Sequence, residues 1–146
     1  VIPWATLGLS ETDAWDHRFT YRITPYFADK PAVTSFGSGC TPSPSPAAAS
    51  FALCSPGVLY VKSTVGGPLI ANQVPAVFVS HGRNGFGAYT RQGGAPLPNG
   101  STDEVENSND NDTFVSHPAT SSFDDLVAWI SPGILFNKMV NAGKLP

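Results

Sequence analysis

Ala76-Val77-Phe78-Val79-Ser80 is almost wholly apolar and is bounded by Pro75 and Gly82. Continuous apolarity over so short a run reads as a central strand covered on both faces. Two more strands precede it. Phe19-Thr20-Tyr21-Arg22-Ile23-Thr24 alternates apolar and polar and ends at Pro25, and Val58-Leu59-Tyr60-Val61-Lys62-Ser63-Thr64 is stopped by Gly66-Gly67-Pro68. Leu69-Ile70-Ala71-Asn72-Gln73 suits one helical turn. After the central strand, Thr113-Phe114-Val115-Ser116 is a short strand and Asp124 to Ile130 a stronger one. A helix closes the chain: Ser131 is its N-cap, Pro132 its first position, and Gly143 can end it in a left-handed conformation. Leu135, Phe136, Met139 and Val140 form an apolar stripe suited to packing on the sheet, and Lys144 lies near the negative end of the helix dipole. Residues 1–18, 28–56 and 81–112 read as irregular. The expected fold is α+β: an antiparallel sheet of four or five strands with long loops and a C-terminal helix, one domain over residues 1–146.

Composition narrows the class. Charged residues are 13% of the 146, about half the usual share, and Gly and Pro contribute 14 each. Frequent Gly and Pro exclude a helical bundle, and nine Phe, four Tyr and three Trp at low charge exclude a disordered chain. Eight Lys and Arg against eleven Asp and Glu leave no basic footprint for nucleic acid. No apolar run approaches the ~20 residues of a membrane span.

Cys40 and Cys54 flank Thr41-Pro42-Ser43-Pro44-Ser45-Pro46-Ala47-Ala48-Ala49-Ser50, a stretch too polar and proline-rich for a core. A metal or redox pair is the alternative, but the spacing is far from Cys-x-x-Cys and there is no second pair. A disulfide across the loop is the expectation, and it implies an exported, oxidising location.

The acids are concentrated. Asp103, Glu104, Glu106, Asp110 and Asp112 fall within ten residues that hold no Lys or Arg. Glu106, Asn107, Asn109, Asp110 and Asp112 are hard oxygen donors suited to Ca²⁺, although the spacing is not that of an EF-hand. The other candidates read as structural. Ser80-His81 lacks a Gly-x-Ser-x-Gly elbow, and His17, His81 and His117 lack metal-ligand spacing and read as hydrogen-bonders. Gly82-Arg83-Asn84-Gly85-Phe86-Gly87 reads as a turn in which Asn84-Gly85 supply positive φ. Asp124 and Asp125, adjacent on a strand, would face opposite ways and not form a close carboxylate pair. No catalytic constellation emerges, so no enzyme activity is expected.

Three segments carry a family resemblance. Pro3-Trp4-Ala5-Thr6-Leu7-Gly8-Leu9, leading into Asp13-Ala14-Trp15-Asp16-His17-Arg18-Phe19-Thr20-Tyr21, resembles the opening of type IV pilin-like and type II secretion pseudopilin heads, with Asp13, Trp15 and Tyr21 in the motif positions and Asp16 in place of its glycine. Val77 to Gly85 is similar to their central strand and its Ser-x-Gly-x-Asx-Gly turn, here Ser80, Gly82, Asn84 and Gly85. Phe123 to Ser131 resembles a closing strand of the same group. The resemblance implies a structural subunit of a pilus or secretion pseudopilus that assembles with its own copies or other pilins. It also implies an N-terminal apolar helix, which these residues do not include. The chain is then the globular head, with the helix removed or held by a separate helical partner. In major pseudopilins the loop after the turn binds calcium; the matching acids here are Glu106, Asp110 and Asp112. The rival expectation is a secreted, calcium-stabilised β-rich module that binds glycans or surfaces through Trp4, Trp15, Phe86 and Tyr89.

Overall fold

A computed structural model describes residues 2–28, 36–46, 49–98 and 100–145; residues 29–35, 47, 48 and 99 of the expected long loops lie outside these. The fold is α+β. Ten elements follow in order: α1 (Trp4–Leu7), β1 (Thr20–Ile23), α2 (Pro25–Ala28), β2 (Leu59–Lys62), β3 (Leu69–Val74), β4 (Ala76–Ser80), α3 (Thr102–Glu106), β5 (Thr113–Val115), β6 (Leu126–Ile130) and α4 (Pro132–Asn141).

The strands make two sheets of three, ordered β1-β4-β6 and β3-β2-β5, rather than one sheet of four or five. The first is antiparallel throughout, with the apolar β4 at its centre as expected. In the second, β2 pairs antiparallel with β3 and parallel with β5, a mixed arrangement that period-two patterning does not reveal. Leu69–Val74 is strand and not a helical turn: its mostly exposed side chains offer no helical core stripe, and its backbone instead completes the edge of β2. Between the sheets lie Leu59, Val61, Val74, Val77, Val79 and Phe114, with Val58, Ala71, Val127 and Trp129 packed around them. Arg22 Nε donates to Asp112 Oδ1 at 2.8 Å and ties β1 to the residue that leads into β5.

The register places Tyr21, Phe78 and Ala128 in one cross-strand row, and Ile23, Ala76 and Ile130 in the next. With Leu126, these side chains form the face of the first sheet opposite the core. Tyr21 and Phe78 stack at 6.1 Å. Ile2, Leu9 and Phe19 flank Phe78 around a shallow apolar recess of about 280 Å³. Beyond that margin Ala76 is buried and Tyr21, Ile23 and Ile130 are half-buried, while on β6 Leu126 is 58% exposed and Ala128 beside Phe78 is also exposed. β4 itself is covered on both faces as expected, with Ala76 and Ser80 buried and Phe78 half-buried on this side; the exposed apolar residues lie beside it on β6.

α4 begins with Ser131 in the N-cap position and Pro132 in its first turn, and Gly143 follows it at φ 65°. The Ser131 hydroxyl makes no capping bond. The stripe of α4 does not spread over the sheet. Leu135, Phe136 and Met139 pack with Phe27 against Ala49, Phe51 and Leu145, a satellite cluster under the proline-rich loop.

Cys40 and Cys54 form a disulfide with a Cα–Cα distance of 5.2 Å. Closing a loop of this length removes about 3 kcal/mol of freedom from the unfolded chain. The double substitution Cys40→Ser, Cys54→Ser should lower the melting temperature by about 9 °C at this chain length. Calorimetry showing no shift would mean that the bridge constrains nothing.

Candidate functional site

Glu104 is the first residue of the site to be fixed. Its backbone N–H donates to Ser101 Oγ at 3.3 Å while its Oε2 accepts from Ser101 N at 2.9 Å, a reciprocal capping box that starts α3. The cap draws the carboxylate inward, and Glu104 has no exposed surface. Its Oε1 accepts from Asn84 Nδ2 at 2.7 Å.

Asp124 and Asp125 enter from the other side, on the segment just before β6. Because the ladder begins at Leu126, neither residue obeys strand alternation, and the two carboxylates are not held on opposite faces. They converge with Glu104: one carboxylate oxygen from each of the three residues lies within 4.8 Å of the others. Asp124 Oδ2 accepts from Asn84 N at 3.0 Å, and Asp125 Oδ2 accepts from Asn107 Nδ2 at 2.9 Å. The second oxygens, Asp124 Oδ1 and Asp125 Oδ1, are buried with no hydrogen-bond partner among the described residues. A Cβ at Gly82 would collide with the Asp124 carboxylate and carbonyl, so the glycine is what lets the turn lie directly on that residue.

Three converging carboxylates with two orphaned buried oxygens would be stabilised by a compensating charge. None of the ion pairs among the described residues brings a lysine or arginine to them. His81, wholly buried, is nearest, with Nδ1 3.6 Å from Asp125 Oδ1, beyond hydrogen-bond range. The donor set is all oxygen and anionic, which suits a hard divalent cation such as Ca²⁺ better than a soft one. Glu104, Asp124 and Asp125 would hold it, and the ion would supply charge and cross-link α3 to the segment just before β6.

Thr20 Oγ1 lies 2.9 Å from His81 Nε2, so Thr20, His81 and Asp125 stand in a row like that of a hydrolase relay. The His81–Asp125 contact is longer than a hydrogen bond, and His81 is wholly buried. His81 is bonded to β1 through Thr20 and approaches the segment that leads into β6.

The oxygen donors expected to hold calcium are placed elsewhere. Glu106 accepts from Asn109 and Asn111 side chains, Asp112 is paired with Arg22, and Asp110 is exposed at φ 61°. Glu106, Asp110 and Asp112 form no converging group among the described residues. Asn107 alone reaches the carboxylate cage: its amide bridges Val115 and Asp125. Glu104, the missed member, was marked by Ser101-x-x-Glu104, a capping-box spacing inside a loop read as irregular.

The three histidines act as hydrogen-bonders, as expected: His17 Nδ1 with the Gly82 carbonyl, His81 with Thr20, and His117 with the Pro118 carbonyl and Asp103. In the turn, positive φ falls on Gly82, Gly85 and Gly87 rather than on Asn84, whose side chain is committed to Glu104. Asp16 takes φ 67°, a left-handed value that glycine adopts most readily. Asp13 Oδ1 accepts from the Trp15 and His17 amides, and its Oδ2 accepts from Ser80 Oγ at 2.6 Å. The opening segment is thus bonded to the β4 turn, and that turn to Asp124 and Glu104. Trp4, Trp15 and Tyr89 stand at the surface, while Phe86 is half-buried beside Gly100.

No helix among the described residues is long and apolar enough to cross a membrane. Comparison of the chain with protein-family models, curated proteins and solved structures finds no match.

Proposed function

We propose that this chain is the globular head of a type IV pilin-like or type II secretion pseudopilin-like subunit, a structural protein of an exported filament. The observation that carries this reading is the apolar outer face of the β1-β4-β6 sheet, on which Leu126 and Ala128 are exposed and Tyr21, Ile23, Phe78 and Ile130 are half-buried. An apolar sheet face is stable in water only when another layer covers it. A helical segment packed there, in the same subunit or a partner, gives it that layer. Two further features support the reading. The segments that resemble pilin-like heads are bonded to one another through Asp13–Ser80, His17–Gly82 and Asn84–Asp124. The Cys40–Cys54 bridge suits an oxidising exported location.

In this reading Ca²⁺ in the Glu104–Asp124–Asp125 cage stiffens the head, and the partners are copies of the chain or other pilins. The test is to shear filaments from the surface of the producing cells and probe them with antibody to residues 100–145. The chain should be in the filament fraction. Its recovery only as free protein in the medium would contradict the proposal and favour a secreted binding module using Trp4, Trp15 and Tyr89.

A further inference from the structure

The segment Thr41-Pro42-Ser43-Pro44-Ser45-Pro46 is not used by the cage or by the sheet. Its three hydroxyl residues, Thr41, Ser43 and Ser45, are all exposed, while Pro42 is half-buried and Pro46 is buried. Proline at every second position removes the N–H groups that a ladder or helix would need. None of the three hydroxyls, and no backbone group of residues 41–46, has a hydrogen-bond partner among the described residues. The strip is nevertheless anchored: Cys40 is buried with Phe36 and Ala52 and bridged to Cys54, and Pro46 is sunk at the far end. Beside Ser43 lies an open recess of about 200 Å³ lined by Pro42, Pro44, Pro46, Ala52 and Leu53, the last of these half exposed.

A held strip of free hydroxyls separated by prolines, bent at Ser43-Pro44, has the character of a glycosyl acceptor, the composition of O-glycosylated stalks. We infer that Thr41, Ser43 and Ser45 are sites of O-linked glycosylation, with Ser43, over the apolar recess, the principal one. In the transfer, the hydroxyl oxygen attacks the anomeric carbon of a glycosyl diphosphate donor. The new carbon–oxygen bond forms as the bond to the diphosphate breaks, the diphosphate departs with the bonding pair, and the hydroxyl proton passes to a base of the transferase. The sugar then covers Pro42, Pro44 and Leu53, whose apolar surface is otherwise open to water.

This inference rests on the export part of the proposed function and not on filament assembly. The experiment is mass spectrometry of the whole chain purified from an extracytoplasmic fraction of its producing cells, with the disulfide confirmed first by absence of free thiols. An oxidised, exported chain recovered outside filaments speaks against assembly alone. The expected result is a mass increased by whole monosaccharide residues, mapped by electron-transfer fragmentation to residues 41–45 and removed by β-elimination. The variant Ser43→Ala should lose most of it, and Thr41→Val, Ser43→Ala, Ser45→Ala all of it, with the bridge still formed. An exported, oxidised chain at its bare polypeptide mass would overturn the inference. So would modification confined to other residues, or an increment released by phosphatase.

Discussion

Millimolar calcium should raise the melting temperature of the protein by about 8 °C, and Glu104→Gln should reverse the order of stability of the two proteins between chelator and calcium. The first expectation follows from linkage: a ligand at about one hundred times its dissociation constant stabilises the native state by about 2.7 kcal/mol, and each kcal/mol is worth about 3 °C at this chain length. The second follows from the cage. Without a cation, Glu104, Asp124 and Asp125 hold like charges within 4.8 Å, and a single such pair costs between about 1 kcal/mol in water and about 4 kcal/mol near a protein surface. Glutamine keeps the length of the side chain and still closes the capping box with Ser101. It removes one charge and with it two like-charge contacts. It also loses the bond from Asn84 Nδ2, worth about 1 kcal/mol, because its amide nitrogen then faces that donor. In chelator the variant should melt slightly above the native protein. In calcium it lacks one anionic ligand, should lose most of the ion-induced shift, and should melt below the native protein. Differential scanning calorimetry in both buffers checks this. A variant less stable in chelator as well would mean that the bond from Asn84 to Glu104 outweighs the repulsion in the cage, and a native melting temperature unchanged by calcium would remove the cation.

Ala128→Arg should abolish filament assembly while leaving the head folded. Ala128 is exposed midway along the edge strand β6, in register with Phe78, so the free head accommodates a longer side chain in solvent. Exposed substitutions of this kind usually change stability by less than about 0.5 kcal/mol, and the melting temperature should move by less than about 2 °C. In an assembled subunit the same guanidinium is pressed against an apolar layer with no partner, at a cost of several kcal/mol. Each ~1.4 kcal/mol is about tenfold in association, so filament yield should fall by about a hundredfold or more with export intact. The measurement is filament yield by shearing and immunoblot beside the melting temperature of the purified chain. Normal filaments built from the Ala128→Arg variant would exclude this face as the assembly surface.

The parts of the molecule legible in the sequence are those governed by local chemistry. The β4 span is observed as expected, since a short apolar run between Pro75 and Gly82 leaves few alternatives. Pro132 and Gly143 bracket α4 because one has the φ of a first helical turn and the other accepts a left-handed one. Long-range pairing was not legible. Whether β5 joins β2 or β4 is decided by which edge remains free, so a mixed second sheet took the place of one antiparallel sheet. The cage was half visible. The acidic stretch pointed to oxygen chemistry, but Glu104 meets Asp124 and Asp125 from a distant part of the chain, and only the fold shows that meeting. The Asp124-Asp125 pair misled because alternation holds only inside a ladder, and the ladder starts just after it.

The most direct test of the filament-head account is hydroxyl-radical footprinting of the purified chain and of intact filaments from the producing cells. Tyr21, Phe78, Leu126 and Ile130 should be oxidised in the free chain in proportion to their exposure and strongly protected in the filament, while exposed Tyr60 on the other sheet should differ little. Equal labelling of the four residues in both samples, or filaments that lack the chain, would contradict the account.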